Sequence, residues 1–154
     1  MNNLKRIIFV AQSGTCREPM AAGIMKDFIL KEPIEVLARG LVVQFPEPMN
    51  QKAEAILISN GIETEGFVSQ QLEQEDITPD TLILTMEHTH AEKVLEGYDI
   101  SVDRVWTLSD YVGDELEVLD PYGGQLPNYG LCYETLRASI KKLVKILIEE
   151  GEQQ

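Results

Sequence analysis

A short segment near the N-terminus contains residue types that could bind a single anion. Residues 11–17 read A-Q-S-G-T-C-R and lie between a predicted strand and a predicted helix. Small residues allow the backbone N–H groups of such a loop to converge on one point, where the helix dipole also favours an anion. Arg17 adds a planar cation suited to bidentate contacts with oxygen atoms. The segment predicts a site for one phosphate or similar oxyanion, although a purely structural loop has the same local pattern.

The residue identities narrow this interpretation. V-A-Q-S-G-T-C-R-E-P-M-A, residues 10–21, resembles the phosphate loop of the low-molecular-weight protein-tyrosine phosphatases, V-C-x-G-N-x-C-R-S-P-M-A. Three further segments resemble family motifs in the same order: G-I-E-T-E-G-F-V-S-Q-Q-L at 61–72, L-I-L-T-M-E at 82–87 and D-P-Y-G-G at 120–124. Each match is weak alone, but four ordered matches over most of the chain imply the family fold.

The resemblance assigns roles to particular residues. In this family a cysteine thiolate attacks phosphorus, loop amides and an arginine bind the phosphoryl oxygens, and an aspartate protonates the leaving group. It implies that Arg17 is the oxyanion clamp, that Asp120 is the general acid and base, and that Tyr122 and Phe45 form a substrate wall. An Asx turn before Pro121 is the alternative for Asp120, and a rim aromatic is the alternative for Tyr122. The implied phosphate-binding residues are Gln12, Ser13, Gly14, Thr15, Cys16 and Arg17.

The loop departs from the family pattern at the nucleophile. Ala11 stands where the resemblance places the first cysteine, and a methyl group cannot attack phosphorus. Cys16 matches the second cysteine and is interpreted as a packed thiol. Ser13 and Gly14 replace the family's G-N pair, and Glu18 replaces a hydroxyl residue and is interpreted as a first-turn acid. We expect negligible phosphatase turnover, either because Ala11 substitutes for a cysteine of an active parent or because the protein is a natural pseudophosphatase.

The substrate class is open between two alternatives. Family breadth favours phosphotyrosine, whereas Thr15 before Cys16 and the paired glycines after Tyr122 resemble the protein-arginine phosphatases. A phospho-group-binding module using the same loop is a third, non-enzymatic hypothesis. The expected ligands are a phosphorylated protein or small phosphoester, with phosphate or sulfate able to enter the loop. The resemblance implies no metal or organic cofactor and specifies no oligomeric state.

The elements that must position this loop form an alternating pattern. Strands are predicted at 6–10, 34–41, 81–86 and 102–108, and helices at 19–30, 51–60, 89–95 and 129–149, with a Gly/Pro-rich loop at 113–128. Alternation of this kind predicts a single α/β domain over residues 1–154, in three layers: a four-stranded parallel sheet with helices on both faces. Its ligands bind at the carboxyl ends of strands, where the 11–17 segment lies.

Composition excludes several function classes. The 154 residues include 13 Lys and Arg against 26 Asp and Glu, a formal net charge of −13, so no nucleic-acid or anionic membrane partner is expected. Two cysteines provide neither a disulfide framework nor a zinc site, and the reducing cytoplasm is the expected compartment. Residues 87–90, E-H-T-H, are interpreted as solvated loop residues rather than a metal pair. The family resemblance implies that Glu87 supports the neighbouring loop, because the family has an aspartate at that position.

Overall fold

The protein contains a parallel sheet of four strands. The computed structural model describes residues 4–28 and 33–152. The strands are β1 (Arg6–Ala11), β2 (Glu35–Gly40), β3 (Thr81–Thr85) and β4 (Val105–Thr107), arranged in the order β2-β1-β3-β4. β1 lies in the middle of the sheet and pairs with β2 and β3, because its apolar run of β-branched and aromatic residues suits a strand buried on both faces. This confirms the predicted four-stranded parallel sheet.

Helices cover both faces of the sheet. They are α1 (Arg17–Lys26), α2 (Gln51–Ser59), α3 (His88–Gly97), α4 (Leu108–Val112) and α5 (Leu126–Glu152). Because side chains alternate along a strand, β1 contributes to two cores. Ile7 packs with Met20 of α1 and Leu136 of α5 on one face, and Ile8 packs with Val94 of α3 on the other. The three-layer α/β class predicted from the sequence is therefore confirmed.

Several predicted bounds were wrong by a few residues. α1 ends at Lys26 rather than near Leu30, and the apolar residues that extended the prediction, Ile29 and Leu30, lie outside the described residues. β4 is short and follows a 3₁₀ turn at Val102–Arg104, so the first half of its predicted strand is not extended. α2 ends as predicted, with Gly61 in the left-handed region at φ 78°.

The long predicted loop at 113–128 is shorter than expected. α4 precedes it and was missed, because one turn and a half leaves no periodic pattern; the Thr107 side chain caps its first turn by accepting from the Asp110 N–H. α5 begins at Leu126, three residues earlier than predicted, with Pro127 in the first turn where a missing N–H costs nothing. The remaining loop, residues 113–125, lies beside the start of α1.

Candidate phosphate-binding site

A tight loop joins β1 to α1 at the carboxyl edge of the sheet. Gly14 supplies its left-handed residue, with φ 77°. The loop lies directly on Gly40 at the end of β2, where an added Cβ would stand 2.7 Å from the Gly14 nitrogen and 2.6 Å from Val43 Cγ2. The Asn50 N–H donates to the Thr15 carbonyl at 2.8 Å. The sequence analysis predicted neither the packing on Gly40 nor the hydrogen bond from Asn50. The position of Gly40 at the end of a predicted strand was the one signal for the first of these contacts.

Glu18 is the second residue of α1, and its side chain turns toward this loop rather than to the helix surface. Its side-chain Oε2 accepts from the Gly14 N–H at 2.6 Å, and the nearby backbone N–H groups of Cys16 and Glu18 also favour the ionised carboxylate. The residue is 1% exposed. Burial raises the pKa of Glu18 to about 7, against the opposing effect of these hydrogen bonds and of the Arg17 guanidinium. The interpretation of Glu18 as a simple first-turn acid was therefore incomplete, because the side chain turns back toward the loop amides.

Arg17 joins three parts of the chain. Its guanidinium, 3% exposed, donates from Nη1 to the Val118 carbonyl at 2.8 Å and from Nη2 to Glu87 Oε2 at 2.7 Å. Asp120 Oδ2 lies 3.6 Å from the same Nη2. Residues from the start of α1, the start of α3 and the loop before α5 therefore meet at one point, and the predicted proximity of Arg17 and Asp120 is present.

The Asp120 carboxylate makes two kinds of contact. Its Oδ1 accepts from the Tyr122 N–H at 3.0 Å, which is the Asx turn considered as the alternative for this residue. Its Oδ2 faces Arg17, so the turn and the position beside the guanidinium coexist. The turn fixes the direction of the carboxylate through its other oxygen.

The two thiols near the loop are protonated at neutral pH. Cys16 and Cys132 are both buried and free of disulfide bonds. Burial raises the pKa of Cys16 to about 12, with the neighbouring Cys132 and Glu18 adding to the effect, and burial also raises the pKa of Cys132 to about 11. Ala11, at the end of β1, is buried and carries no ionisable group. No reactive thiolate is available from these residues at neutral pH.

The rim of the loop is exposed and apolar. Tyr122 is 80% exposed and Phe45 is 72% exposed, on the two segments that border the loop. Leu116 and Leu119, in the same segment as Tyr122, are also largely exposed. The Lys52 ammonium donates to the Gly124 carbonyl and links α2 to this segment. The structure leaves both predicted wall aromatics at the surface, without a contact that assigns them to a ligand.

The E-H-T-H segment is not a solvated loop as predicted. It begins α3 through a capping box, in which the Glu87 N–H donates to His90 Nδ1 at 3.2 Å. His90 is buried, and burial lowers its pKa. His88 is exposed and bonds to Asp110 and to Glu117, which raises its pKa. In residues 4–28 and 33–152, no group of three or more His, Cys, Asp or Glu side chains is placed to hold a metal ion.

Comparison with known proteins identifies the family. The family model described as low molecular weight phosphotyrosine protein phosphatase matches residues 6–153. The chain belongs to this family. It is 32% identical over 142 residues to PtpB, a low molecular weight protein-tyrosine-phosphatase of Staphylococcus aureus, covering 92% of this chain and 99% of that one. The family membership predicted from the sequence is confirmed.

Solved structures of this family agree with the fold. The low molecular weight protein tyrosine phosphatase from T. tengcongensis superposes with a TM-score of 0.87 at 32% identity, covering 93% of this chain and 99% of that one. The YwlE arginine phosphatase from Geobacillus stearothermophilus superposes with a TM-score of 0.89 at 30% identity, covering 97% of each chain. In the part of the chain that the structure describes, no helix of this phosphatase-family protein is long and apolar enough to cross a membrane.

Proposed function

We propose that this phosphatase-family protein binds the phosphoryl group of a phosphorylated protein in the loop of residues 12–17 without hydrolysing it. The supporting observation is that the Gly14 amide of the loop already binds a carboxylate, that of Glu18, while Arg17 and Asp120 lie 3.6 Å apart at the start of α1. Donors aimed at one point are what a tetrahedral oxyanion requires. In this proposal Gln12, Ser13, Gly14, Thr15 and Cys16 line the anion site, and Arg17 clamps the oxygens.

The proposed lack of turnover follows from the absence of a nucleophile. Ala11 stands at the position that the family resemblance gives to the attacking cysteine. Cys16 does not replace it, because its pKa of about 12 leaves a vanishing fraction of thiolate at neutral pH. Asp120 keeps a position suited to a general acid, yet protonating a leaving group accelerates nothing without an attacking atom.

The Glu18 carboxylate in the loop favours a naturally inactive protein over an active enzyme in which Ala11 has replaced a cysteine. A thiolate at position 11 would share the loop amides with the Glu18 carboxylate, and two anions in one buried site repel each other strongly. A loop built for a thiolate would therefore not carry Glu18. Ala11 and Glu18 are mutually consistent, because an alanine adds no second negative charge.

Phosphotyrosine is the proposed ligand, with phosphoarginine as the second candidate. The exposed rings of Phe45 and Tyr122 at the rim suit an aromatic phosphoester. The second candidate rests on the arginine phosphatase of Geobacillus stearothermophilus, which this chain resembles over 97% of its length. In either case the phosphoryl group occupies the same loop.

An NMR titration tests this proposal. At pH 6, phenyl phosphate and phosphoarginine are each added to ¹⁵N-labelled protein, and the expected result is shifts of the Gly14 and Arg17 amides at millimolar ligand. Arg17→Lys should weaken binding about tenfold because the bidentate contact is lost, whereas the exposed Arg137→Lys should not. Hydrolysis of p-nitrophenyl phosphate should not exceed the spontaneous rate. Unshifted loop amides, or turnover by the unmodified protein, would refute the proposal.

A further inference from the structure

The Glu18 carboxylate is bound by a backbone amide of the loop. Its Oε2 atom is 2.6 Å from the Gly14 nitrogen, and the nearby backbone N–H groups of Cys16 and Glu18 also favour the ionised carboxylate. Glu18 is almost wholly buried. An oxyanion entering the loop would need the same N–H groups. The loop therefore already holds a ligand that is part of the chain.

We infer that the Glu18 carboxylate is an internal ligand of the phosphate loop, and that the ionised side chain and an outside tetrahedral anion exclude each other. This inference rests on the proposed function, because it concerns the same anion site. The exclusion has two physical sources. The donors cannot serve two sets of oxygens at once, and two anions a few ångströms apart in a buried site repel each other.

Protonation of Glu18 is the event that opens the site. A neutral carboxyl removes the repulsion and can itself donate a hydrogen bond to an entering anion. Burial raises the pKa of Glu18 to about 7, so this change falls near neutral pH. The loop should therefore bind an anion in mildly acidic solution and exclude the anion in mildly alkaline solution.

Other charged groups around Glu18 do not produce the same pH dependence. Arg17 lies on the same helix, and Asp120 faces its guanidinium from the loop before α5. The Cys16 and Cys132 thiols stay protonated because their pKa values are raised to about 12 and 11. On α3, Glu87 holds Arg17, and the buried His90 has a lowered pKa and gains charge only in acid. Any effect of His90 on the pH dependence of anion binding is the same in every variant at position 18.

Sulfate is the appropriate probe because it remains a dianion across the pH range. Its dissociation constant is measured by ¹⁵N NMR at pH 5.5 and pH 8.5 for the natural sequence, Glu18→Gln and Glu18→Ser. For a Glu18 pKa of about 7, the natural sequence should bind sulfate about 30-fold more weakly at pH 8.5 than at pH 5.5. Both variants should change less than about threefold between these pH values, because they lack the competing carboxylate.

A ligand-free titration supplies a second measurement that needs no buried substitution. The Gly14 amide of the natural sequence should shift with a midpoint near pH 7, since its hydrogen-bond acceptor gains a proton there. Glu54→Gln is the matched control, because Glu54 also lies in the first turn of a helix, in this case α2. That variant should leave the Gly14 titration and the sulfate affinities unchanged.

The outcomes separate this inference from the proposed function. Equal sulfate affinity of the natural sequence and Glu18→Ser at pH 8.5 would overturn the inference and leave the proposed function standing. Failure of folded Glu18→Ser to bind sulfate at either pH would overturn the proposed function. If Glu18→Ser does not fold, the Gly14 titration and the Glu18→Gln comparison decide the matter, and a Gly14 amide that does not titrate between pH 5.5 and pH 8.5 contradicts the inference.

Discussion

Arg17 and Glu87, 70 residues apart, form an ion pair between Nη2 and Oε2 at 2.7 Å that joins the starts of α1 and α3. The guanidinium is buried, whereas the carboxylate is about one-third exposed. The pair therefore fixes one edge of the Arg17 guanidinium. Arg17 also donates from Nη1 to the Val118 carbonyl, and this hydrogen bond fixes a second edge of the guanidinium.

Glu87→Gln should lower the free energy of unfolding by about 2 kcal/mol, because it leaves a buried guanidinium without its carboxylate. Urea denaturation at pH 7 measures this loss. The matched control is Glu35→Gln, since Glu35 pairs with Arg6 at an exposed site and should cost less than about 0.5 kcal/mol. Equal losses in the two variants would show that Glu87 does not hold Arg17.

Restoring a thiol at position 11 should not by itself restore activity. In Ala11→Cys the new thiol would stand at the start of the loop that holds the Glu18 carboxylate, and we expect this negative charge to disfavour the thiolate. The double variant Ala11→Cys with Glu18→Ser should hydrolyse p-nitrophenyl phosphate at least roughly 100-fold faster than the single variant. Adding Asp120→Asn to the double variant should lower its rate by about 100-fold. A single variant as active as the double one would show that Glu18 does not oppose a thiolate.

Gly40→Ala should distort the loop without any change in charge. The added Cβ would stand 2.6 Å from Val43 Cγ2 and 2.7 Å from the Gly14 nitrogen. Both distances are shorter than a Cβ atom keeps from non-bonded atoms in folded proteins. We expect a loss of about 2 kcal/mol in the free energy of unfolding and shifted Gly14 and Thr15 amide resonances. Gly97→Ala is the control, because no atom lies within 4 Å of its added Cβ. It should be neutral or slightly stabilising.

The stability of the protein should depend on pH through Glu18. Burial raises the pKa of this carboxyl in the folded protein from the ordinary 4.5 to about 7, so between these values the native state holds a proton that the unfolded chain releases. Its contribution to stability is full below pH 4.5 and is lost as pH rises through 7. The free energy of unfolding of the unmodified protein, relative to Glu18→Gln, should therefore fall by up to about 3 kcal/mol between these values.

Urea denaturation of both proteins at a series of pH values measures that difference. The effect of the lowered pKa of His90 is common to the two proteins and cancels. A difference that is constant with pH, or that grows as pH rises, would contradict the raised pKa of Glu18.

The local pattern of the sequence was sufficient for the architecture. The buried strand at 6–10, the helix stop at Gly61 and the alternation of strands and helices each depend on short-range chemistry, so the fold class was correctly predicted. Bounds were less well predicted where the signal is tertiary. The short α4 leaves no periodic pattern, and the start of α5 at Leu126 lies in a segment that looks like loop because it is rich in glycine and proline.

Some features of the candidate site were likewise predictable from the sequence, and others were not. The loop sequence by itself determined that an arginine and a helix N-terminus would lie together at the end of β1, because these residues are adjacent in the chain. It also determined that position 11 carries no cysteine. Only the tertiary structure decided that Glu87 and Asp120 flank Arg17 and that the Glu18 carboxylate turns inward to Gly14. A side chain's direction depends on which donors and which solvent the assembled fold leaves around it, and those are not encoded by its immediate neighbours.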